Sequence, residues 1–439
     1  MRSFTISCTV IILLSIFAGN IPNSHEIQLE TRDSEGKLVS VIGSPITSNP
    51  FEIGTWGAAI LISNTIVFVG LVISYHKSQV RIKRSINFIT NLEVPPKLAY
   101  VIVITILSIY IMLNASALGK EENFGDYSEV KKYAGEWDIS KVKIGIGAEL
   151  RYFFLHLSLN IFHNIRVIPF IGSIFLIVLT YLLTAELSGN RLGGIIAMIV
   201  LLQSNLFLTY VAASTQDNFW ILFYIIALYL LTKRPYLSPL PYIASLFLKA
   251  LTVAFLPTIF LFIYRLNIPS RKKIHVTISY GIITTLLIIA FIAGFTQIEK
   301  TYFNFGNFWA GFTVGSLQLR FDALVPLFII PLIVGLFLVS RKGMLYADNA
   351  MILIAGTILT YPLLELFTDI TNQPYRLIPL VVFFAVGVGM LFTKNNKNPV
   401  PAQKTRLVSN AIFFVTFTVG LIFSLPFIFP ALIQSIVYG

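Results

Sequence analysis

The chain of 439 residues is 56% hydrophobic and only 12% charged, with a mean hydropathy of +0.80. Soluble proteins carry about 25% charged residues, so a water-soluble globular fold is excluded. The formal charge of +12 would point to nucleic acid in a soluble domain. Membrane proteins gather Lys and Arg in cytoplasmic loops for topological reasons, so no nucleic-acid partner is expected. The single cysteine, Cys8, rules out an internal disulfide and a cysteine metal cluster.

Apolar runs of about 20 residues, each long enough to cross a ~30 Å hydrocarbon core as a helix, recur from end to end. The first, Phe4 to Ala18, follows Arg2 and reads as a secretory signal or an uncleaved anchor. No A-x-A cleavage site follows it, which favours the anchor. Spans are then expected at Gly54 to Tyr75, Leu98 to Leu118, Val167 to Leu187, Leu192 to Ser214 and Phe219 to Leu231. Further spans are expected at Val276 to Ile298, Leu324 to Ser340, Ala350 to Phe367, Leu377 to Phe392 and Leu407 to Ile433. Between them, Ala148 to Phe162 has the apolar spacing of an amphipathic helix lying at the interface. The Pro-rich stretch Asn395 to Gln403 reads as a cytoplasmic linker.

Pro239 to Tyr264 is about one span in length but carries Lys249 near its middle and Pro257 after it. A single crossing would put Arg265, Arg271, Lys272, Lys273, Arg341, Lys342 and the later basic loops outside. A short hairpin with its apex near Lys249 returns them all to the cytoplasm, as the positive-inside rule requires. The hairpin is therefore the expected form. Irregular backbone at membrane depth is tolerated only where it is buried in protein or lines an aqueous cavity, so Lys249 marks a cavity opening outward. With this topology most of the 32 Lys and Arg residues lie inside, while only Glu93, Glu186 and Asp348 of the 20 acidic residues do. The fold class that follows is all-α: a polytopic membrane protein with about 11–13 transmembrane helices including the one short hairpin.

No P-loop, G-x-G-x-x-G or H-E-x-x-H occurs, so ATP hydrolysis, dinucleotide binding and zincin chemistry have no support. His156 and His163 could share a helix face, but with no carboxylates near them a structural role is favoured, and neither a metal nor a cofactor is expected. The informative residues are charges at the outer ends of spans. Asp126, in the segment Asn123 to Tyr133, reads as a general base at the membrane surface, as a solvated loop acid, or as the N-cap of a helix over Tyr127 to Ala134. Asp217, in the turn Ala213 to Trp220, reads equally as a cap or a substrate contact. An ammonium such as that of Lys249 within the hydrocarbon region costs at least ~2.5 kcal/mol unless it reaches water or an anion, so a functional role is the default. Arg376, in Asn372-Gln-Pro-Tyr-Arg-Leu-Ile-Pro379, reads as an interfacial anchor or as a forked, permanently charged phosphate ligand.

From Asp126 through Arg265 these pieces resemble the GT-C class of integral membrane glycosyltransferases, in particular its protein O-mannosyltransferase and aminoarabinose-transferase branch. The resemblance rests on Asp126 with Tyr133 seven positions on, the run Arg166-Val-Ile-Pro-Phe-Ile-Gly-Ser173, and the run Tyr181 to Arg191. It continues through the Thr215 to Asp217 turn, the hairpin around Leu248-Lys-Ala250, and the later Pro-Tyr-Arg loop at Arg376. Tyr127, not a second acid, follows Asp126, and the next carboxylate is Glu129.

The resemblance implies a GT-C-like module over residues 98–393, preceded by a membrane segment pair at 1–97 and followed by a linker and last helix at 394–439. It implies an enzyme in the cell membrane that moves a sugar from a polyprenyl-phosphate donor to a hydroxyl acceptor at the outer face, with inversion. Asp126 would be the base, Lys249 and Arg376 would bind the donor phosphate, and Asp217, Glu129 and Arg166 would contact substrate. The partners are then the lipid-phosphate donor, membrane lipids and an acceptor whose kind the sequence leaves open. The competing readings are a transporter or flippase of a lipid-linked or anionic solute, which needs charges on several helices near the midplane, and a non-catalytic scaffold of the same fold.

Overall fold

The computed structural model describes residues 31–32, 38–39, 92–122, 126–138, 149–214, 218–266, 268–292, 308, 311, 322, 324–341, 343–344, 346–365, 374–393 and 403–428. The first two expected spans and the segment 395–402 lie outside the described residues. Two short strands, β1 (Thr31–Arg32) and β2 (Leu38–Val39), pair antiparallel. Among the described residues all other regular structure is helical, and five helices are long and apolar enough to cross a membrane. The protein is an all-α polytopic membrane protein.

In chain order the helices are α1 (Pro96–Leu118), α2 (Tyr127–Gly135), α3 (Glu149–Phe162), α4 (Val167–Ser188), α5 (Arg191–Leu202), α6 (Asn205–Tyr210) and α7 (Phe219–Lys233). Next come α8 (Pro239–Leu248), a 3-10 stretch Ala250–Phe255, α9 (Leu256–Arg265) and α10 (Ser270–Ile292). Then follow α11 (Leu324–Arg341), α12 (Tyr346–Glu365), a 3-10 turn Pro374–Leu377, α13 (Ile378–Met390) and α14 (Gln403–Ile428). The core is built from α4, α5, α7, α12 and α13, with α13 buried on almost every side. Ile274, Ile278, Ile282 and Leu286 make one exposed apolar stripe along α10 at a spacing of four, which in a membrane protein is a lipid-facing surface.

Three sets of contacts fix which helix ends share a side. Asn190, in the α4–α5 turn, donates from Nδ2 to the carbonyls of Leu92 and Phe392, at 3.3 and 2.8 Å. Gly193 of α5 and Gly389 of α13 cross so closely that a Cβ on Gly193 would sit 2.6 Å from the Gly389 carbonyl oxygen, an approach only small residues allow. A Cβ on Gly387 would in turn meet Leu332 and Leu336 of α11 and Ile354 of α12. The end of α11, the start of α12 and the end of α13 therefore lie together with Asn190.

Arg265, at the end of α9, belongs to that same side. Its guanidinium pairs with Asp348 in the first turn of α12 and donates to Ser409 Oγ of α14 at 2.7 Å. Ser340 of α11 and Ser409 donate to the two Asp348 oxygens at 2.6 and 2.7 Å, so four helices meet at one buried carboxylate. Lys233, at the end of α7, pairs with Glu186 of α4 on this side too. The chain thus leaves from Lys233 and comes back at Arg265 on one side, as the hairpin reading requires. Each helical arm has 10 residues, ~15 Å at 1.5 Å per residue, half the thickness of a hydrocarbon core. The turn is made at Lys249 in an extended conformation, followed by the 3-10 stretch.

The expected span Leu192 to Ser214 is not one helix. It breaks after Leu202, and Ser204 begins α6 by accepting the Phe207 N–H at 3.1 Å. The same hydroxyl donates to the buried carboxylate of Asp322, two residues before α11. A serine able to cap, with a distant acid to hold it, overrides the continuous apolar pattern at this point.

Candidate functional site

At the apex of the hairpin, Lys249 places its ammonium 4.9 Å from the centre of the Tyr375 ring. The Arg376 guanidinium lies 6.0 Å from the same ring. Both side chains are part-buried, and Arg376 Nε is buried without a hydrogen-bond partner. Tyr375 and Arg376 sit on the 3-10 turn that opens α13, where Pro374 fixes the backbone, and Tyr375 packs against Tyr210 of α6 with ring centres 6.5 Å apart. Two cations from distant parts of the sequence thus converge on one aromatic ring, an arrangement worth ~0.5–2 kcal/mol per cation. Like charges brought together in this way favour binding of an anion between or beside them, and phosphate is the anion an arginine fork matches best.

A second charged group lies on the side of the loop after α1. Glu122 is buried, accepts the Ser214 N–H at 2.6 Å and the Ser214 hydroxyl at 2.9 Å, and lies 3.1 Å from Arg166 Nε. Arg166 also donates to the Lys120 carbonyl at 2.9 Å, and the buried Arg151 donates to the Ser214 carbonyl at 3.0 Å. Asn218, beyond the turn, donates to the Tyr210 carbonyl. Tyr210 to Ser214 therefore runs from the ring wall of the cation pair to the buried Glu122 cluster. Asp217 lies outside the described residues.

Asp126 stands exposed at the start of α2, where its carbonyl accepts the Val130 N–H but its side chain makes no capping bond. Glu129, in the first turn of α2, is exposed as well, which suits the positive end of that helix. Nearby, the Tyr127 phenol is raised above its ordinary value by burial, against the lowering effect of Lys131. Lys131 is held above its ordinary value by its 3.0 Å hydrogen bond to Glu121. His156 ties α3 to α2 through the Ala134 carbonyl at 2.8 Å and packs on Trp137, and His163 closes α3 at φ 53°. Among the described residues no group of three His, Cys, Asp or Glu side chains would hold a metal ion.

The structure thus brings Lys249 and Arg376 together, joins Arg166 to the buried carboxylate of Glu122, and leaves Asp126 and Glu129 on the exposed face of α2. Sequence reasoning did not single out Tyr375, Glu122, Arg151 or Asp322. Glu121 and Glu122 are adjacent acids of which only the second turns inward, and no spacing rule distinguishes them. Asp322 had one legible signal, its place as an acid just before an apolar span. A small, partly open apolar pocket, of about 10 Å³, lies between α4 and α7 and is lined by Pro169, Gly172, Leu176, Val211, Ala213 and Phe219. Its polar lining groups are engaged, Ser173 with Tyr110 and the Phe170 carbonyl and Asn218 with Tyr210, so it presents a greasy wall beside Ala213 and Asn218. No protein-family profile, curated protein or solved structure matches the chain.

Proposed function

We propose that the protein is a glycosyltransferase that moves a sugar from a polyprenyl phosphate to a hydroxyl acceptor at the outer face of the cell membrane. The observation that carries this reading is the meeting of Lys249 and Arg376 over Tyr375 at the apex of a half-length hairpin. The hairpin arms reach only part-way through the hydrocarbon core, so the head of a lipid phosphate would meet the cations through the outward-opening cavity expected at the apex, with its chain in the surrounding lipid. The two cations hold the phosphate and stabilise the charge that grows on its oxygen as the sugar departs.

In the step itself, the acceptor oxygen forms a bond to the anomeric carbon while the bond from that carbon to the phosphate oxygen breaks. The electron pair stays on the polyprenyl phosphate, and the acceptor proton passes to a carboxylate. Asp126 takes that proton: it is exposed at the start of α2, whereas Glu122 already accepts from Ser214 and faces Arg166. Glu129 and Asp217 contact the sugar or acceptor, and Arg166 secures the loop that carries Asp126. One displacement with one base inverts the anomeric centre, unlike the covalent route that needs two carboxylates. The test is transfer from polyprenyl-phosphate sugars by the full chain and by Asp126→Asn. Loss of about 100-fold or more in the variant supports the assignment, and undiminished transfer removes Asp126 as the base.

A further inference from the structure

The ring wall of the cation pair is carried by a short strut whose far end is held by an acid that the transfer step does not use. Asp322 is 2% exposed. Its carboxylate receives the Ser204 hydroxyl and the N–H groups of Leu324 and Val325 at the start of α11. Ser204 in turn accepts from Phe207, so a single carboxylate ties the first turn of α11 to the first turn of α6. At the other end of α6, Tyr210 is buried against Tyr375, and the helix touches both the 374–377 turn and α13. Burial pushes the Asp322 carboxyl up to about 6 in spite of its three donors. So enclosed a group cannot reach an acceptor hydroxyl, which leaves it out of the chemistry but in control of geometry.

We propose that Asp322 is a positioning residue for the phosphate site: through Ser204 it fixes the break between α5 and α6, and through Tyr210 it keeps the Tyr375 ring in register with Lys249 and Arg376. The role of that site as a phosphate site rests on the function proposed above, whereas the mechanical link does not. A loosened strut would let the ring move by an ångström or so, enough to misalign two cations that must face one phosphate.

Ser204→Ala removes the bridge and leaves Asp322 to cap α11, while Ser204→Thr keeps the hydroxyl. Hydrogen exchange on the full chain in detergent is expected to rise about 10-fold in Ser204→Ala at amides 207–211 and also at 375–378. The amides of α4 stay unchanged, and Ser204→Thr behaves as wild type. Binding of undecaprenyl phosphate should weaken about 3–10-fold in Ser204→Ala, with no further loss when Ser204→Ala is added to Tyr375→Ala. Faster exchange confined to 207–211, or losses that multiply in the double variant, would overturn the link. If wild type binds no undecaprenyl phosphate, the transfer reading fails, and the exchange at 375–378 alone decides for or against the link.

Discussion

Two arginine-bearing centres of this bundle are built on different principles. At the Arg265 end, one guanidinium meets one carboxylate, and the hydroxyls of Ser340 and Ser409 fill the remaining oxygens of Asp348. At the Arg376 end, a guanidinium and an ammonium lie 6.0 and 4.9 Å from the centre of one ring. A charge neutralised from within holds helices together and asks for no ligand. Two cations gathered at one ring present positive charge to an incoming anion. The contrast separates a structural lock from a candidate site within one fold.

Breaking the lock should have the largest effect. Asp348→Ala strands Arg265 in the core and is expected to lower stability by about 3–5 kcal/mol, read as a fall in the unfolding midpoint in detergent. Lys249→Ala should leave that midpoint nearly unchanged, and an equal fall in both would erase the distinction. Next in size, Arg376→Ala should lower the transfer rate by about 10²–10³, because it removes a donor aimed at the leaving phosphate. Arg376→Lys recovers only part of this, since the ammonium lacks the fork. Smaller again, Tyr375→Leu removes the shared ring and should weaken lipid-phosphate binding by ~0.5–2 kcal/mol, seen in the dissociation constant with little change in stability.

A separate effect is a pH dependence. The Asp322 carboxyl titrates near 3.8 as a free side chain and is raised by burial to about 6 in the fold. The folded chain therefore holds this proton more tightly than the unfolded chain. Its contribution to stability is greatest below about 3.8 and declines as pH rises through about 6. Asp322→Asn, which can still accept from Ser204 and cap α11, should flatten that part of the stability profile between pH 4 and 6. A profile identical to wild type would show that Asp322 does not titrate there.

Most of the architecture was legible in the sequence because lipid makes the rules strict: apolar length marks the spans, and the sidedness of basic loops forced the hairpin at Lys249. The break at Ser204 was not legible, since it depends on Asp322 arriving from far along the chain. The same holds for the site. Lys249 and Arg376 were visible as costly charges, yet their shared ring, Tyr375, acquires meaning only when the 3-10 turn meets the hairpin apex. Glu122 shows the other limit: burial chooses between two adjacent glutamates, and composition cannot.

The central claim is that Lys249 and Arg376 form one phosphate site. Saturable binding of undecaprenyl phosphate to the purified full chain, compared with the Lys249→Ala/Arg376→Ala double variant, tests it most directly. The account predicts that binding is lost in the double variant and kept in Lys131→Ala, whose ammonium pairs with Glu121 on the exposed loop. Equal binding by wild type and the double variant would contradict it.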